Sequence, residues 1–413
     1  MNLYSKRREK VFRSLSDNSL AVLFSGKAPM CSADEAYPFV VDRNFYYLTG
    51  LEKEEMALVL YKNGTDMREY LFIQPFDEVM ARWVGGRMSE EEARAVSDVE
   101  NIREYGELSS FVNSLLNNMR RDASFKCYFD FWHYEADQQE TPAHRFAQKL
   151  RNDRPSLIMR DLYPILTSMR MIKDEYEITC VRQAIMTTKL GVEQMMKTIR
   201  PSMNEMVMEG VFDFVLKQNM CNENAFHTIA ASGERATILH YSSNNQPMAD
   251  GELFLCDLGA TFKHYCADIS RTFPVNGHFT ERQREIYELV LQAQKIVEEN
   301  ARVGVKLKDI DKMVVDFYRE ELPKHGLNED VREYYFHSVS HHLGLDTHDV
   351  ELERGAALEA GNIITNEPGL YIAEEGIGIR IEDDLLITGT GAEVLSRDIV
   401  KDPDEIEKLM ASV

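Results

Sequence analysis

The sequence predicts an α+β protein with an amino-terminal α/β domain over residues 1–165 and a carboxy-terminal α+β domain over residues 166–413. Three observations predict it. The 413 residues exceed the roughly 150 residues of a typical domain. The first part alternates short apolar runs with helical stretches, whereas the second part repeats the order helix, helix, strands. Because 44% of the residues are hydrophobic and 28% are charged, the composition is that of a globular chain.

Continuous apolar runs predict the strands of the first domain, at residues 20–24, 57–61, 70–73 and 127–131. Such strands, separated by helices, are typical of a sheet that is covered on both faces. Helices are predicted over residues 89–94 and 108–119. The polar segment 101–107 between them is predicted as a turn, and residues 151–155 as a turn at the domain boundary.

The second domain begins with a predicted helix over residues 174–199, where apolar side chains recur at spacings of three, four or seven. These side chains are expected to face the core. Pro201 ends this helix, and a second helical stretch continues to residue 220. Strands are predicted to follow over residues 253–258 and 264–273.

The same order then repeats. Thr280 and Gln283 have the spacing of a capping box, which marks the start of a helix, and Gly304 is expected to follow its end. Another helix is predicted over residues 308–322 and strands over residues 335–388. We interpret this as a repeat of architecture, not of sequence, within one domain.

Charge excludes some partners. With 47 Lys and Arg against 69 Asp and Glu, the formal net charge is −22, so nucleic acid and anionic membranes are not expected as partners. No apolar run reaches the length of a signal peptide or a membrane span, which predicts a soluble cytoplasmic protein. The 6 cysteines are scattered without a Cys-x-x-Cys pair, which predicts reduced thiols.

Two aspartates lie on the predicted strand pair. Asp257 and Asp268 sit eleven positions apart, and on paired strands they can face each other. Among apolar neighbours two ionised carboxylates are costly to bury, and a cation would offset that cost. Polar hairpin residues that face solvent would show the same pattern, so the hairpin alone leaves both interpretations open.

Histidines are concentrated further along the chain. Four of the 11 histidines fall within twelve residues, at His337, His341, His342 and His348, with Gly344 permitting a tight backbone between them. A single histidine is more often a core or surface residue than a ligand. Four together favour a site where imidazoles act as metal ligands, proton carriers or hydrogen-bond donors.

Two glutamates complete the set of candidates. Glu367 precedes Pro-Gly at the end of an apolar strand, and by itself it would be a solvated turn residue. Arg380 and Glu382 share one face of an alternating segment, a pattern that a half-exposed edge strand also shows.

Together the candidates offer four carboxylates and one imidazole. This hard, oxygen-rich set suits two divalent ions, such as manganese or cobalt, better than one structural zinc. Two dications would balance four negative charges that would otherwise repel each other and force protonation. The members are Asp257, Asp268, His341, Glu367 and Glu382.

The chain resembles the pita-bread metallopeptidases, the family of methionine aminopeptidase, prolidase and aminopeptidase P. The motifs that carry the resemblance are CDLG at 256–259, ADIS at 267–270, SHHLGLDTHD at 340–349, NEPGLY at 366–371 and GIRIED at 378–383. Segments 33–38, 44–50 and 82–86 resemble the amino-terminal domain of aminopeptidase P, so nearly the whole chain is covered. Creatinase shares the fold but lacks the metal ligands, all five of which are present here.

The resemblance implies a pita-bread catalytic domain behind a creatinase-like α/β domain, with two divalent ions, foremost Mn²⁺ with Co²⁺, Fe²⁺ or Zn²⁺ as alternatives. Asp257 would hold one ion, and His341 and Glu367 the other. Asp268 and Glu382 would bridge the pair. The ions would activate a water molecule, and Glu367 would carry its proton.

The resemblance also assigns roles around the metals. His348 would donate a hydrogen bond to the scissile carbonyl oxygen, His240 would line the side that receives a proline ring, and His337 would form part of the cavity wall. His342 is interpreted as structural.

Three further residues receive roles by resemblance. Arg380 would orient Asp268, and Tyr371 would hydrogen-bond a ligand carboxylate. Trp83 would either reach the active site of a neighbouring subunit or be an ordinary packed aromatic residue, and both interpretations stay open.

The implied activity is that of an Xaa-Pro aminopeptidase, which removes the residue before a proline in second position. The Xaa-Pro dipeptidase, prolidase, is the alternative, and a non-catalytic binding module of the same fold is a remote one. The expected partners are peptides with proline in second position, and a homo-oligomer, dimer or tetramer, is implied by the resemblance.

Overall fold

The computed structural model describes residues 2–117, 125–133, 135, 138–353 and 355–412. The chain divides into two compact units, Met1–Thr167 and Ser168–Val413. Within the described parts of the chain, no helix combines the length and the apolar composition that are needed to cross a membrane.

One mixed sheet forms the centre of the first unit. Its strand order is β4-β3-β2-β1-β5-β6, with β2 antiparallel to β1 and β3, and with the pairs β1–β5, β3–β4 and β5–β6 parallel. The strands are β1 (Ser19–Phe24), β2 (Ala57–Asn63), β3 (Asp66–Ile73), β4 (Asn101–Glu104), β5 (Lys126–Phe129) and β6 (Ile158–Asp161). The helices described here are α1 (Leu3–Ser14), α2 (Arg43–Thr49), α3 (Glu78–Val84), α4 (Glu90–Ser97), α5 (Leu108–Asn117), α6 (Pro142–Asp153) and α7 (Tyr163–Arg170), with a 3₁₀ turn at Tyr105–Glu107.

The four strands predicted for this unit are confirmed, and every residue of β1 is buried, as a sheet covered on both faces requires. Two predictions were wrong. The polar segment from residue 101 begins with the edge strand β4, whose exposed position tolerates polar side chains. Residues 151–155 do not end the unit, because β6 follows them and joins the same sheet. The helix predicted over 108–119 is α5 as far as Asn117, and residues 118 and 119 lie outside the described residues.

The second unit contains two similar successions of helices and strands. Its helices are α8 (Glu175–Thr198), α9 (Glu205–Gln218), α10 (Glu281–Asn300), α11 (Leu307–Glu321) and α12 (Pro403–Met410), with 3₁₀ turns at Gly233–Thr237, Leu322–His325, Val331–Glu333 and Ala373–Glu375. Its strands are β7 (Ile229–Ser232), β8 (Leu253–Leu258), β9 (Thr261–Phe262), β10 (Tyr265–Cys266), β11 (Ile269–Pro274), β12 (Ile363–Asn366), β13 (Gly369–Ile372), β14 (Ile377–Arg380), β15 (Asp383–Thr388) and β16 (Gly391–Val394). They pair in the orders β11-β8-β7, β12-β15-β16, β10-β9 and β13-β14.

The helix predictions for this unit are confirmed, including the capping box of Thr280 and Gln283 at the start of α10. One strand prediction was wrong. The described residues between 335 and 362 form turns and isolated bridges, and the strands begin only at Ile363. This irregular stretch holds the histidine-rich motif, whose ring positions depend on the backbone path rather than on strand alternation.

The predicted hairpin is present, with a register that the alternation alone did not specify. In the antiparallel pair β8–β11, Asp257 lies opposite Ser270, and Asp268 precedes the first residue of β11. The two chains approach closely where β8 ends. A Cβ atom at Gly259 would overlap the carbonyl oxygen of Ala267, so the backbone at this point leaves room only for glycine.

The close approach leads to a stability prediction. Because the carbonyl oxygen of Ala267 is part of the hairpin backbone, Gly259→Ala is expected to lower the free energy of unfolding by about 1–3 kcal/mol. Gly389→Ala is the matched control, since a Cβ there meets no atom within 4 Å, and it should change that free energy by less than about 0.5 kcal/mol. Chemical denaturation of both variants measures the difference, and equal midpoints would contradict the predicted overlap.

Candidate metal centre

Three side chains from distant parts of the second unit meet at one point. Asp268, His341 and Glu382 each offer one ligand atom, and these atoms lie within 4.8 Å of one another. Asp268 and Glu382 are 4% and 2% exposed, so both carboxylates are withdrawn from water. Sites with this combination of burial and oxygen and nitrogen donors are suited to a divalent cation.

The His341 ring is oriented by its own backbone. Its Nδ1 lies 3.0 Å from the carbonyl oxygen of His342, which can only accept, so Nδ1 carries the proton and donates. The lone pair of Nε2 is then directed into the cluster, 3.4 Å from Asp268 Oδ2 and 3.4 Å from Glu367 Oε1. A hydrogen bond of this kind fixes the tautomer that a metal ligand needs.

Glu367 joins the cluster from the turn between β12 and β13. The hydroxyl of Thr365 donates to Glu367 Oε1 at 3.1 Å and accepts from the backbone N–H of His341 at 3.0 Å. Thr365 therefore connects the two candidate ligands. Thr365 was not among the candidates, although it lies in β12 only two residues before Glu367.

Asp257 forms the side of the cluster nearest to Arg380. Arg380 Nη2 donates to Asp257 Oδ2 at 2.7 Å, and Arg380 Nε donates to the hydroxyl of Ser270 at 2.8 Å. That hydroxyl in turn donates to Glu382 Oε2 at 2.6 Å. The prediction that Arg380 orients Asp268 was wrong, because the guanidinium group donates to Asp257 instead. Asp257 lies opposite Ser270 in the strand pair, so one guanidinium group reaches both residues.

Tyr371 and His337 form a second hydrogen-bonded wall. Arg380 Nη1 donates to the Tyr371 hydroxyl at 2.9 Å, and the same hydroxyl lies 2.9 Å from His337 Nε2. Since His337 Nδ1 donates to the carbonyl of Ser338, Nε2 accepts from Tyr371. The Tyr371 hydroxyl thus contacts His337 and Arg380, and its hydrogen bond to a ligand carboxylate stays a prediction.

The remaining histidines differ in exposure. His348 and His240 are exposed, and the His348 ring lies 4.2 Å from that of His341, centroid to centroid. Lost hydration and the neighbouring His341 and His240 lower the pKa of His348 to about 4, and burial lowers that of His337 to about 4. Both rings are therefore neutral at pH 7. His342 is buried, as expected of a structural residue.

The carboxylates carry an unbalanced negative charge. Burial, followed by repulsion from the neighbouring acids, raises the pKa of Asp268 and of Glu382 well above their ordinary values. Burial also raises the pKa of Glu367, against the opposing effect of His341. Asp257 Oδ1 is buried without a hydrogen-bond partner among the described residues. A buried acceptor without a donor, in a cluster short of positive charge, fits a bound cation.

A buried group of charges lies next to Glu382 and was not among the sequence predictions. Arg271 donates to the carbonyl oxygens of Ser270 and Glu382 and to Asp383 Oδ1 at 2.9, 2.6 and 2.8 Å. Lys401 donates to Asp383 Oδ2 at 2.7 Å. Burial raises the pKa of Asp383, but Arg271 and Lys401 outweigh it and hold that pKa at about 2. The signal available in the sequence was an arginine inside the strand predicted over residues 264–273.

Trp83 belongs to the first unit. It lies on α3, and its side chain is 81% exposed. The interpretation of Trp83 as an ordinary packed aromatic residue was therefore wrong.

Two family models match this sequence. The model of metallopeptidase family M24 matches residues 179–389, and that of the aminopeptidase P N-terminal domain matches residues 4–123. The chain belongs to metallopeptidase family M24. A member of this family is expected to bind divalent metal ions, and the cluster of Asp268, His341 and Glu382 offers a site for them.

Relatives and solved structures agree with this membership. Xaa-Pro aminopeptidase of Escherichia coli K12 is 34% identical over 99% of this chain and 97% of its own length. Human Xaa-Pro aminopeptidase 3 is 30% identical over 98% and 85%. The structure of E. coli aminopeptidase P with the inhibitor Pro-Leu superposes with a TM-score of 0.90 at 34% identity, over 99% of this chain and 98% of that one. The resemblance, the predicted pita-bread fold class and the metallo-aminopeptidase class are confirmed.

The raised carboxyl pKa values lead to a pH prediction for the metal-free protein. An acid whose pKa is raised by folding stabilises the fold below its unfolded pKa of about 4, and this contribution is lost as the pH rises through the folded-state pKa. The thermal unfolding midpoint should therefore fall from mildly acidic to neutral pH, and fall less in Glu382→Gln.

Addition of Mn²⁺ at neutral pH should raise the midpoint of the wild-type protein and release protons, because ligands must lose theirs. Thermal scans over a pH series, with and without the ion, measure the midpoint, and a pH titration during addition of the ion measures the released protons. The same pH dependence in wild type and Glu382→Gln would contradict the raised pKa of Glu382.

Proposed function

We propose that the chain hydrolyses the peptide bond between an amino-terminal residue and a following proline, as its Xaa-Pro aminopeptidase relatives are named for doing. The observation that carries the proposal is the convergence of Asp268, His341 and Glu382 in a chain that matches such relatives over almost its full length. Fold alone would not suffice, since one fold can host several functions.

Five residues would hold two divalent ions in this proposal. Asp257 would serve one ion, His341 and Glu367 the other, and Asp268 and Glu382 both. When bound, such ions polarise a carbonyl group and lower the pKa of water. Mn²⁺ is the proposed ion, with Co²⁺, Fe²⁺ or Zn²⁺ as alternatives, because a hard donor set accepts each of them.

Glu367 is the proposed proton carrier. Its carboxyl group is buried, and burial raises its pKa above that of an exposed glutamate, so the group accepts a proton more readily. The Thr365 hydroxyl holds Oε1, while Oε2 lies 3.7 Å from His337 Nδ1. A carboxyl group held on one oxygen can take a proton from the attacking water and pass it to the leaving nitrogen.

The neutral histidines would act on the substrate. His348 is exposed beside His341, and as a neutral imidazole it can donate one hydrogen bond to the carbonyl oxygen of the scissile bond. His240 contributes to lowering the pKa of both His337 and His348, so it lies near both rings. We propose that His240 lines the side of the site that receives the proline ring and that His337 forms part of the cavity wall.

Prolidase is the second candidate activity. A bond to proline nitrogen has no N–H in either case, and the two enzymes differ in the length of peptide they accept. The match of residues 4–123 to the aminopeptidase P N-terminal domain favours the aminopeptidase. A non-catalytic binding module is opposed by the presence of the complete predicted ligand set.

Assembly and location of the protein are also proposed. A homo-oligomer, dimer or tetramer, is proposed together with a role for exposed Trp83 in reaching a neighbouring subunit. Cytoplasmic location, and the expectation that neither nucleic acid nor membrane is a partner, stay predictions from charge and composition.

A series of peptides tests the substrate. With Mn²⁺ present, Xaa-Pro-Xaa tripeptides and longer peptides should be cleaved after the first residue, whereas the same peptides with alanine in place of proline should be poor substrates. Release of the first residue is measured by chromatography. Cleavage of Xaa-Pro dipeptides alone would show a prolidase instead.

Removal of the metal tests the centre. Chelation should abolish hydrolysis, and adding back single divalent ions should restore it and identify the ion. Asp268→Asn and His341→Ala should each lower kcat by at least about a hundredfold while the far-ultraviolet circular dichroism is retained. Full activity of the chelated enzyme would refute the dinuclear proposal.

A further inference from the structure

A second buried group of charges lies beside the histidine-rich stretch, outside the candidate ligands. Arg170 Nη2 donates to Asp349 Oδ1 at 2.6 Å and to Asp346 Oδ2 at 2.8 Å. Lys173 Nζ donates to Asp349 Oδ2 at 3.0 Å. The side chains of Arg170, Lys173 and Asp349 are 3%, 1% and 1% exposed. Both oxygens of the Asp349 carboxylate therefore have cationic partners that are themselves buried.

This arrangement is unlike that of the metal centre in its charge balance. Burial raises the pKa of Asp349, but Lys173 and Arg170 outweigh it and lower that pKa to about 2. Asp349 is thus ionised without needing a metal ion. A buried carboxylate with two charged donors has a well-defined position, because losing either donor is costly.

The position of Asp349 determines the path of the loop before it. The N–H of Asp349 donates to the carbonyl of His342 at 2.9 Å, which closes the loop 342–349 on itself. A Cβ atom at Gly344 would overlap Asp349 Oδ2, so the carboxylate occupies the space on the inner side of the loop. Asp349 therefore acts as the internal support of this loop.

His348 is the residue before Asp349 in the chain. Its side chain is exposed and lies against the ring of His341, so the backbone that Asp349 fixes is also the point of attachment of the His348 ring. The carbonyl of His342 that accepts from Asp349 also accepts from His341 Nδ1. The carbonyl group of His342 thus links the backbone of Asp349, the residue after His348, to the ring of His341.

We propose that Asp349, clamped between Arg170 and Lys173, is a positioning residue that places the His348 imidazole for its hydrogen bond to the substrate carbonyl. The role of His348 belongs to the proposed function, so the inference rests on it. The carboxylate does not touch the substrate. It acts through the backbone that it shares with His348, and a misplacement of about 1 Å can lower a rate by about a hundredfold.

A double-mutant cycle tests the proposal in the full-length, Mn²⁺-loaded enzyme with an Xaa-Pro-Xaa tripeptide. Asp349→Asn should lower kcat by about ten- to a hundredfold with KM changed by less than about threefold. In the His348→Ala background the same substitution should cost less than about twofold, because the residue it positions is gone. In the His240→Ala background it should keep its full effect.

Asp346→Asn is the matched control. Asp346 accepts from the same Arg170 nitrogen and lies in the same loop, but its side chain is 42% exposed. It should stay within about twofold of wild-type kcat, since water can solvate the Asp346 side chain and Arg170 keeps Asp349 as its partner. If Asp349→Asn does not fold, Lys173→Gln, which leaves Arg170 in place, enters the same cycle.

Two readouts independent of turnover accompany the cycle. Metal content by mass spectrometry should be unchanged in Asp349→Asn, and a crystal structure should show the His348 ring displaced. An equal loss of kcat with and without His348, a parallel loss of metal, or an unmoved His348 would each overturn the inference. If His348→Ala itself keeps wild-type kcat, the proposed role of His348 fails, and the crystal structure still decides whether Asp349 holds the ring.

Discussion

The electrostatic cost of burying several carboxylates in one cavity is the constraint on which the catalytic unit depends. Asp268 and Glu382 lie almost without solvent contact, and among the described residues Arg380 is the cation that donates to a carboxylate of the cluster, Asp257. One guanidinium cannot balance four acids, so the fold holds an arrangement whose charge is completed only by ions. The hydrogen bonds from Ser270 and Thr365 keep the acids in place while that charge is unbalanced.

Two groups of charges outside the metal centre differ from it because their positive and negative charges are balanced. Arg271 and Lys401 surround Asp383, and Arg170 and Lys173 surround Asp349, so each of these two acids is ionised without help from a metal. These hydrogen bonds hold Asp383 next to Glu382 and Asp349 next to His348. The unit thus combines two charge-balanced groups with a centre that has an excess of negative charge, and an added cation would balance the charge of the centre.

Much of the fold and of the site could be predicted from sequence because the signals are local. Apolar spacing predicted α8, and the Thr280 capping box predicted the start of α10. The candidate ligands stood out because carboxylates lie beside apolar runs and because four of the 11 histidines fall within twelve residues. Three-dimensional contacts were not accessible in this way. The partner of Arg380 depends on the β8–β11 register, and the supports Arg271 and Asp349 depend on residues more than a hundred positions away.

The two edges of the six-stranded sheet have a consequence for how copies of this protein can associate. The edge strands β4 and β6 are four residues long and carry charged side chains, including Arg103, Glu104 and Arg160. A strand from another molecule would form few backbone hydrogen bonds with such short, charged edge strands. Edge-to-edge growth of the sheet into fibrils is therefore disfavoured. Self-association of this unit must therefore proceed through side-chain surfaces, where specificity is determined by shape and chemistry instead of by the generic hydrogen bonding of the backbone.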